Sequence, residues 1–186
     1  MVKKHYLADC DAFHVLRFKH RTRAERHEAW AEQRMLGVGG SDLSTILGLN
    51  KYATPYGLWL EKTGRDQSAD ISGKWAIVKG NALETALRTR FRDLHQEWEC
   101  YDGTDKSLVS NTHPCMHASL DGILYDEARG HGVLEIKTAN AHRGATDWHD
   151  ESGNLMIPDY YMAQVTHYLA VTGWTWGVVY ADIGES

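Results

Sequence analysis

A chain of 186 residues, 42% apolar and 24% charged, is long enough to bury a core of ordinary size, and its net charge of −5 argues against wrapping nucleic acid over the whole surface. No run approaches the roughly eighteen apolar residues of a membrane helix, and the basic start MVKKHYLADCDAF has no apolar stretch behind it, so neither a membrane span nor a secretory leader is expected and the cytoplasm is the expected compartment. The three cysteines, Cys10, Cys100 and Cys115, show no paired spacing, which fits a reducing compartment and predicts small buried apolar residues rather than disulfides.

Along the chain, residues 14–34 concentrate Arg17, Lys19, Arg21, Arg23, Arg26 and Arg34 against three glutamates; a solvated amphipathic helix over 22–35 accounts for three of the six. Gly37-Val38-Gly39-Gly40 predicts a turn, after which Ser41 or Asp42 caps a short helix through Leu47, closed by Gly48. Thr54-Pro55 opens another helix, with Gly64 just past its end. Residues 66–73 read as loop. From Gly80, the spacing of Leu83, Leu87, Phe91 and Leu94 predicts an amphipathic helix. Short strands follow at 107–110, 115–119 and 122–125, then a strand at 132–138, a polar and aromatic loop over 140–159, a helix from Tyr160 to Thr172 ended by Gly173, and a last strand at 176–183. The order predicts an α/β fold with a central mixed sheet flanked by helices, in a single domain over 1–186.

The chemistry concentrates in Ser119-Leu120-Asp121-Gly122 and Glu135-Ile136-Lys137. Side chains alternate along a strand, so Glu135 and Lys137 share a face while Ile136 points into the core. Residues 127–132 fit a hairpin that returns the chain beside Asp121. Two carboxylates and a lysine at one end of a sheet suit phosphodiester hydrolysis. Asp121 and Glu135 are hard oxygen ligands for Mg²⁺, with Mn²⁺ as a substitute, and Lys137 can orient a water or offset charge in the transition state. His113, Cys115 and His117 lack a second pair at ligand spacing, so zinc is not expected.

This arrangement resembles the PD-(D/E)XK nuclease superfamily, with Leu120 in place of the usual proline, and more specifically the YqaJ-type, lambda-exonuclease-like viral recombinases. The matching segments run in order from Gly39-Gly40-Ser41-Asp42 and Leu47-Gly48, through Pro55-Tyr56-Gly57-Leu58-Trp59 and Gly80-Asn81-Ala82-Leu83-Glu84, to the Asp121 and Glu135 motifs and Tyr161-Met162-Ala163-Gln164-Val165 with Tyr168. The resemblance implies a restriction-endonuclease-like core in which Glu84, Asp121, Glu135, Lys137 and Gln164 are catalytic. Asp121, Glu135, the Ile136 carbonyl and Glu84 would hold metal. Arg34, Ser41, Ser119, Gln164 and Tyr168 would contact DNA, the first two at a 5′-terminal phosphate. A Glu84–Arg88 surface pair and a core tyrosine at 168 are the plainer alternatives. The activity implied is 5′→3′ exonuclease digestion of double-stranded DNA ends to leave 3′ overhangs, by a homotrimer working with a single-strand annealing protein. A structure-specific endonuclease and an inactive DNA-binding module are the alternatives. Relatives continue beyond the last strand with another strand and a helix, which this sequence is expected to lack.

Overall fold

A computed structural model describes residues 5–19, 21–66 and 73–184. Thirteen elements follow one another among them: β1 (Phe13–Arg17), α1 (Arg23–Met35), α2 (Gly40–Ile46), α3 (Pro55–Lys62), α4 (Trp75–Leu94), β2 (Glu99–Asp102), β3 (Lys106–Ser110), β4 (His117–Ala118), β5 (Gly122–Asp126), β6 (Gly130–Ala139), α5 (Ala141–Asp147), α6 (Asp159–Thr172) and β7 (Gly177–Ile183). The expected loop at 66–73 falls mostly on residues 67–72, outside the described residues.

The helix boundaries follow local chemistry. Thr22 caps α1 in a reciprocal box with Glu25. Thr54 caps α3 through Gly57 N–H, with Pro55 in the first turn. Gly64 and Gly173 take φ of +66° and +70° just past α3 and α6, conformations a side chain would resist. The expected cap of α2 needs correction: Gly39 is the N-cap, and Asp42, three residues on, accepts the Gly39 N–H at 2.9 Å. The α4 helix begins at Trp75 rather than Gly80, and its Leu94 is 56% exposed instead of packed in the core.

The expected single central sheet proves to be two. A four-stranded sheet runs β2-β5-β6-β7, antiparallel except for the parallel β6/β7 pair, and a separate antiparallel sheet runs β1-β3-β4. Thus the strands expected near 107–110 and 115–119 leave the central sheet, while β1 and β2, which carry no clear alternation in the sequence, complete the two sheets. The β5/β6 hairpin forms as the spacing predicts, with Gly122 opposite Leu134.

Alternation along β6 divides the core. Leu134 and Ile136 pack with Leu124 and with Leu87 and Phe91 of α4 on one face. Val133, on the other face, packs with Ile123, Leu108, Ala118 and with Tyr168 and Val171 of α6. Glu135 and Lys137 have the parity of Val133, so the sequence that builds the sheet also aims both charged groups at α6. Two expected placements are overturned. Cys10 and Cys115 are exposed, both lying outside the strands and helices, while Cys100, on the edge strand β2, is half-buried against the Leu87 and Phe91 cluster. Residues 140–159, expected as a loop, contain α5, and Trp148 just after it is 3% exposed and packs against Tyr161. No helix among the described residues is long and apolar enough to cross a membrane.

Candidate functional site

The site is built where β5, β6, α4 and α6 meet. Asp121 ends the turn into β5, and its Oδ2 accepts the Ile136 N–H at 2.7 Å, which pins the carboxylate to the neighbouring strand. Glu135 is 1% exposed on the face toward α6. Its Oε1 accepts hydrogen bonds from the Lys137 ammonium and from Gln164 Nε2, the latter at 2.6 Å. Gln164 also donates to the Tyr168 hydroxyl at 2.8 Å, so two residues one turn apart on α6 form one chain of hydrogen bonds ending on Glu135. Tyr168 therefore joins both readings: it is a core tyrosine, 5% exposed, whose hydroxyl reaches the site. The Lys137 ammonium also lies 4.8 Å from the centre of the Tyr161 ring, a favourable cation–π contact.

Glu84 approaches from α4. It pairs with Arg88 at 3.0 Å, the one-turn spacing evident in the sequence, and Arg88 also donates to the Asp121 carbonyl at 2.6 Å and reaches Asp102 at 3.3 Å. Arg88, expected in a surface pair with Glu84, is instead buried, and ties Glu84 to the loop that carries Asp121.

The electrostatics are those of crowded, buried carboxylates. Burial and then the charge of Glu135 push the Asp121 carboxyl up to about 7. Burial also raises Glu135, and burial together with Asp121 raises Glu84. Burial alone would lower Lys137, but Glu135 and Asp121 outweigh it and hold the ammonium above the ordinary lysine value. Glu135 Oε2 is buried with no hydrogen-bond partner among the described residues. A buried carboxylate oxygen left without a donor is costly in a protein unless a cation meets it. The donor set fits a hard divalent ion on this ground: the carboxylate oxygens of Asp121 and Glu135. Among the described residues no three His, Cys, Asp or Glu side chains are gathered into a metal cage, Glu84 being turned to Arg88.

A second cluster adjoins the first. Arg34, in the last turn of α1, donates to Ser41 Oγ at 2.8 Å, so the two residues paired by spacing do meet. Arg34 also lies 5.0 Å from the centre of the Trp30 ring, and Trp30 Nε1 donates to Ser119 Oγ at 3.0 Å, two residues before Asp121. Trp30 was not singled out by any motif, since its link to Ser119 joins positions 89 residues apart. Asp42 and Lys62 also belong here: Lys62 Nζ lies 2.8 Å from Asp42.

Gly40 holds the two clusters together. A Cβ built there would lie 2.5 Å from Tyr168 Cε1 and 2.9 Å from Gln164 Cγ, so α2 can pack this closely on α6 only with glycine at its start. Gly40→Ala is expected to destabilise the protein by roughly 1–3 kcal/mol, the usual cost of overpacking, seen as a lower melting temperature. It should also displace Gln164 from Glu135. An unchanged melting temperature would show that α2 shifts freely.

The family model for the YqaJ-like viral recombinase domain matches residues 29–175, a span that holds all the residues of both clusters. An uncharacterized protein, YqaJ of Bacillus subtilis (strain 168), is 34% identical over 151 residues, covering 78% of this chain and 42% of that protein. The chain thus spans about two-fifths of the length of that relative. With the family model covering most of the sequence, the chain belongs to the YqaJ-like viral recombinase domain family.

Proposed function

We propose that this chain is a Mg²⁺-dependent deoxyribonuclease with a PD-(D/E)XK core, a single nuclease domain that digests one strand of duplex DNA from a 5′ end and leaves a 3′ overhang for recombination by strand annealing. The observation that carries the reading is the convergence of Asp121, Glu135 and Lys137, with a buried oxygen of Glu135 left without a partner among the described residues. Membership of a viral recombinase family supports DNA as the substrate.

In this reading Asp121, Glu135 and the Ile136 carbonyl hold the metal, with Glu84 close by. When bound, Mg²⁺ supplies polarisation of the scissile phosphate and a water of lowered pKa. Lys137 orients the attacking water and offsets negative charge as the phosphorus gains its fifth oxygen. Gln164, anchored by Tyr168, fixes the Glu135 carboxylate and positions the strand beside it. The Arg34–Ser41 pair, with Ser119, binds the terminal phosphate and sets where the strand stops. A homotrimer, a single-strand annealing partner and a cytoplasmic setting complete the proposal; they rest on the family resemblance.

The test is a time course on linear duplex DNA labelled at either end, with Mg²⁺ or EDTA, beside closed-circular DNA. Loss of the 5′ label only with Mg²⁺, with circles intact, is the expected result. Cut circles would replace the exonuclease with an endonuclease. DNA bound but left whole would leave a binding module.

A further inference from the structure

Two cations in this protein share one buried carboxylate. Asp42 is 6% exposed; its Oδ2 lies 2.8 Å from Lys62 Nζ in an ion pair and accepts from the Gly39 N–H at 2.9 Å, and its Oδ1 lies 3.4 Å from Arg34 Nη2. Lys62 also donates to the Arg34 carbonyl at 2.6 Å, so the end of α3 is tied to the last turn of α1. Among the described residues Asp42 is the one carboxylate paired with either cation. It neutralises one of them and leaves a surplus positive charge on side chains that are 35% and 16% exposed.

A half-buried surplus charge is costly unless an anion completes it. The remaining groups around it are donors. Ser41 Oγ accepts from Arg34 and Ser119 Oγ accepts from Trp30, and neither hydroxyl donates to another group among the described residues, so each hydrogen can point at a ligand. A terminal phosphate monoester is close to dianionic at neutral pH, its second pKa being about 6, whereas a phosphodiester within the strand carries one charge. With Asp42 cancelling one of the two cations, one net positive charge faces the ligand; it attracts a dianionic monoester about twice as strongly as a singly charged diester, and a 5′-hydroxyl offers it no charge.

We propose that Lys62 is the second cationic group of the end-binding pocket and selects a 5′-terminal phosphate monoester over a 5′-hydroxyl, with Asp42 as the positioning residue that holds Lys62 and Arg34 toward one point. The inference rests on the nuclease reading for the identity of the ligand as a DNA end. A lysine that only fastened α3 to α1 would affect stability and leave end preference alone.

The full chain and its Lys62→Gln and Lys62→Arg variants are compared by fluorescence anisotropy in EDTA, on short blunt duplexes carrying either a 5′-phosphate or a 5′-hydroxyl. Lys62→Gln keeps a donor for Asp42 and removes the charge. It is expected to weaken binding of the phosphorylated duplex by roughly tenfold, the scale of one hydrogen bond to a charged group, with little change on the hydroxyl duplex. Lys62→Arg is expected to restore most of the preference. Equal losses on both duplexes, no loss on either, or a native chain that binds both alike would overturn the proposal. Cleavage is not read here: end-selective binding by a chain that never cuts DNA in Mg²⁺ would keep this site and remove the nuclease reading.

Discussion

Lys137→Ala is expected to slow Mg²⁺-dependent cleavage of duplex DNA by on the order of 10³-fold, the scale at which single acid–base or charge-stabilising groups act. The ammonium is the one cation hydrogen-bonded to Glu135 among the described residues, and the neighbouring Arg88 is engaged with Glu84 and the Asp121 carbonyl. Removing one partner of a buried ion pair is usually damaging, by about 3–5 kcal/mol, because the other charge is stranded. Burial already raises the Glu135 carboxyl and losing the lysine's charge raises it further, which favours the neutral acid over a stranded charge, and Gln164 still donates to it at 2.6 Å. The variant should therefore fold and bind duplex DNA within a few-fold of the native chain. Single-turnover cleavage rates and anisotropy together check this, and a rate within tenfold of native would remove Lys137 from the chemistry.

Asp121→Asn should lose cleavage to a similar degree and, in the metal-free protein, gain stability. The Asp121 carboxyl is pushed from its ordinary value up to about 7 by burial and by Glu135, so the folded state holds its proton more tightly than the unfolded chain does. That advantage is complete below the unfolded value of 3.8 and is lost as pH rises through about 7. At pH 8 in EDTA the charged aspartate thus costs the fold up to about 4 kcal/mol, the equivalent of a shift of roughly three pKa units. Asparagine can still accept the Ile136 N–H through its side-chain oxygen, so the local hydrogen bond survives. The expected result is a melting temperature raised by about 5 °C or more at pH 8, with the gain fading toward pH 4. Added Mg²⁺ should stabilise the native chain and not the variant. A variant less stable than the native chain at pH 8 would mean that Asp121 is not electrostatically strained.

The pieces legible in the sequence share a cause: each depends on neighbours in the chain. Thr54, Gly64 and Gly173 mark helix ends because capping is settled within a turn. The β5/β6 hairpin and the common face of Glu135 and Lys137 follow from two-residue alternation, and Gln164 and Tyr168 from helical spacing. Strands β1 and β2 escaped notice because they are short and carry mixed polarity, the pattern of strands covered unevenly on their two faces. Leu94 fits the helical stripe of α4 yet faces solvent, since periodicity identifies a face and not how far the partner layer extends along it.

By itself, then, the sequence determined which side chains stand on which face of β6 and α6, and so that Glu135 and Lys137 would look the same way, with the hairpin returning the chain beside Asp121. Only the tertiary structure decided what they meet. The division of the strands into two sheets, the packing of α2 on α6 through Gly40, the role of Arg88 between Glu84 and Asp121, and the sharing of Asp42 by Arg34 and Lys62 all join residues on separate elements. Such contacts are set by how whole faces bury apolar area and pair their charges, a balance over the entire core that no local spacing encodes.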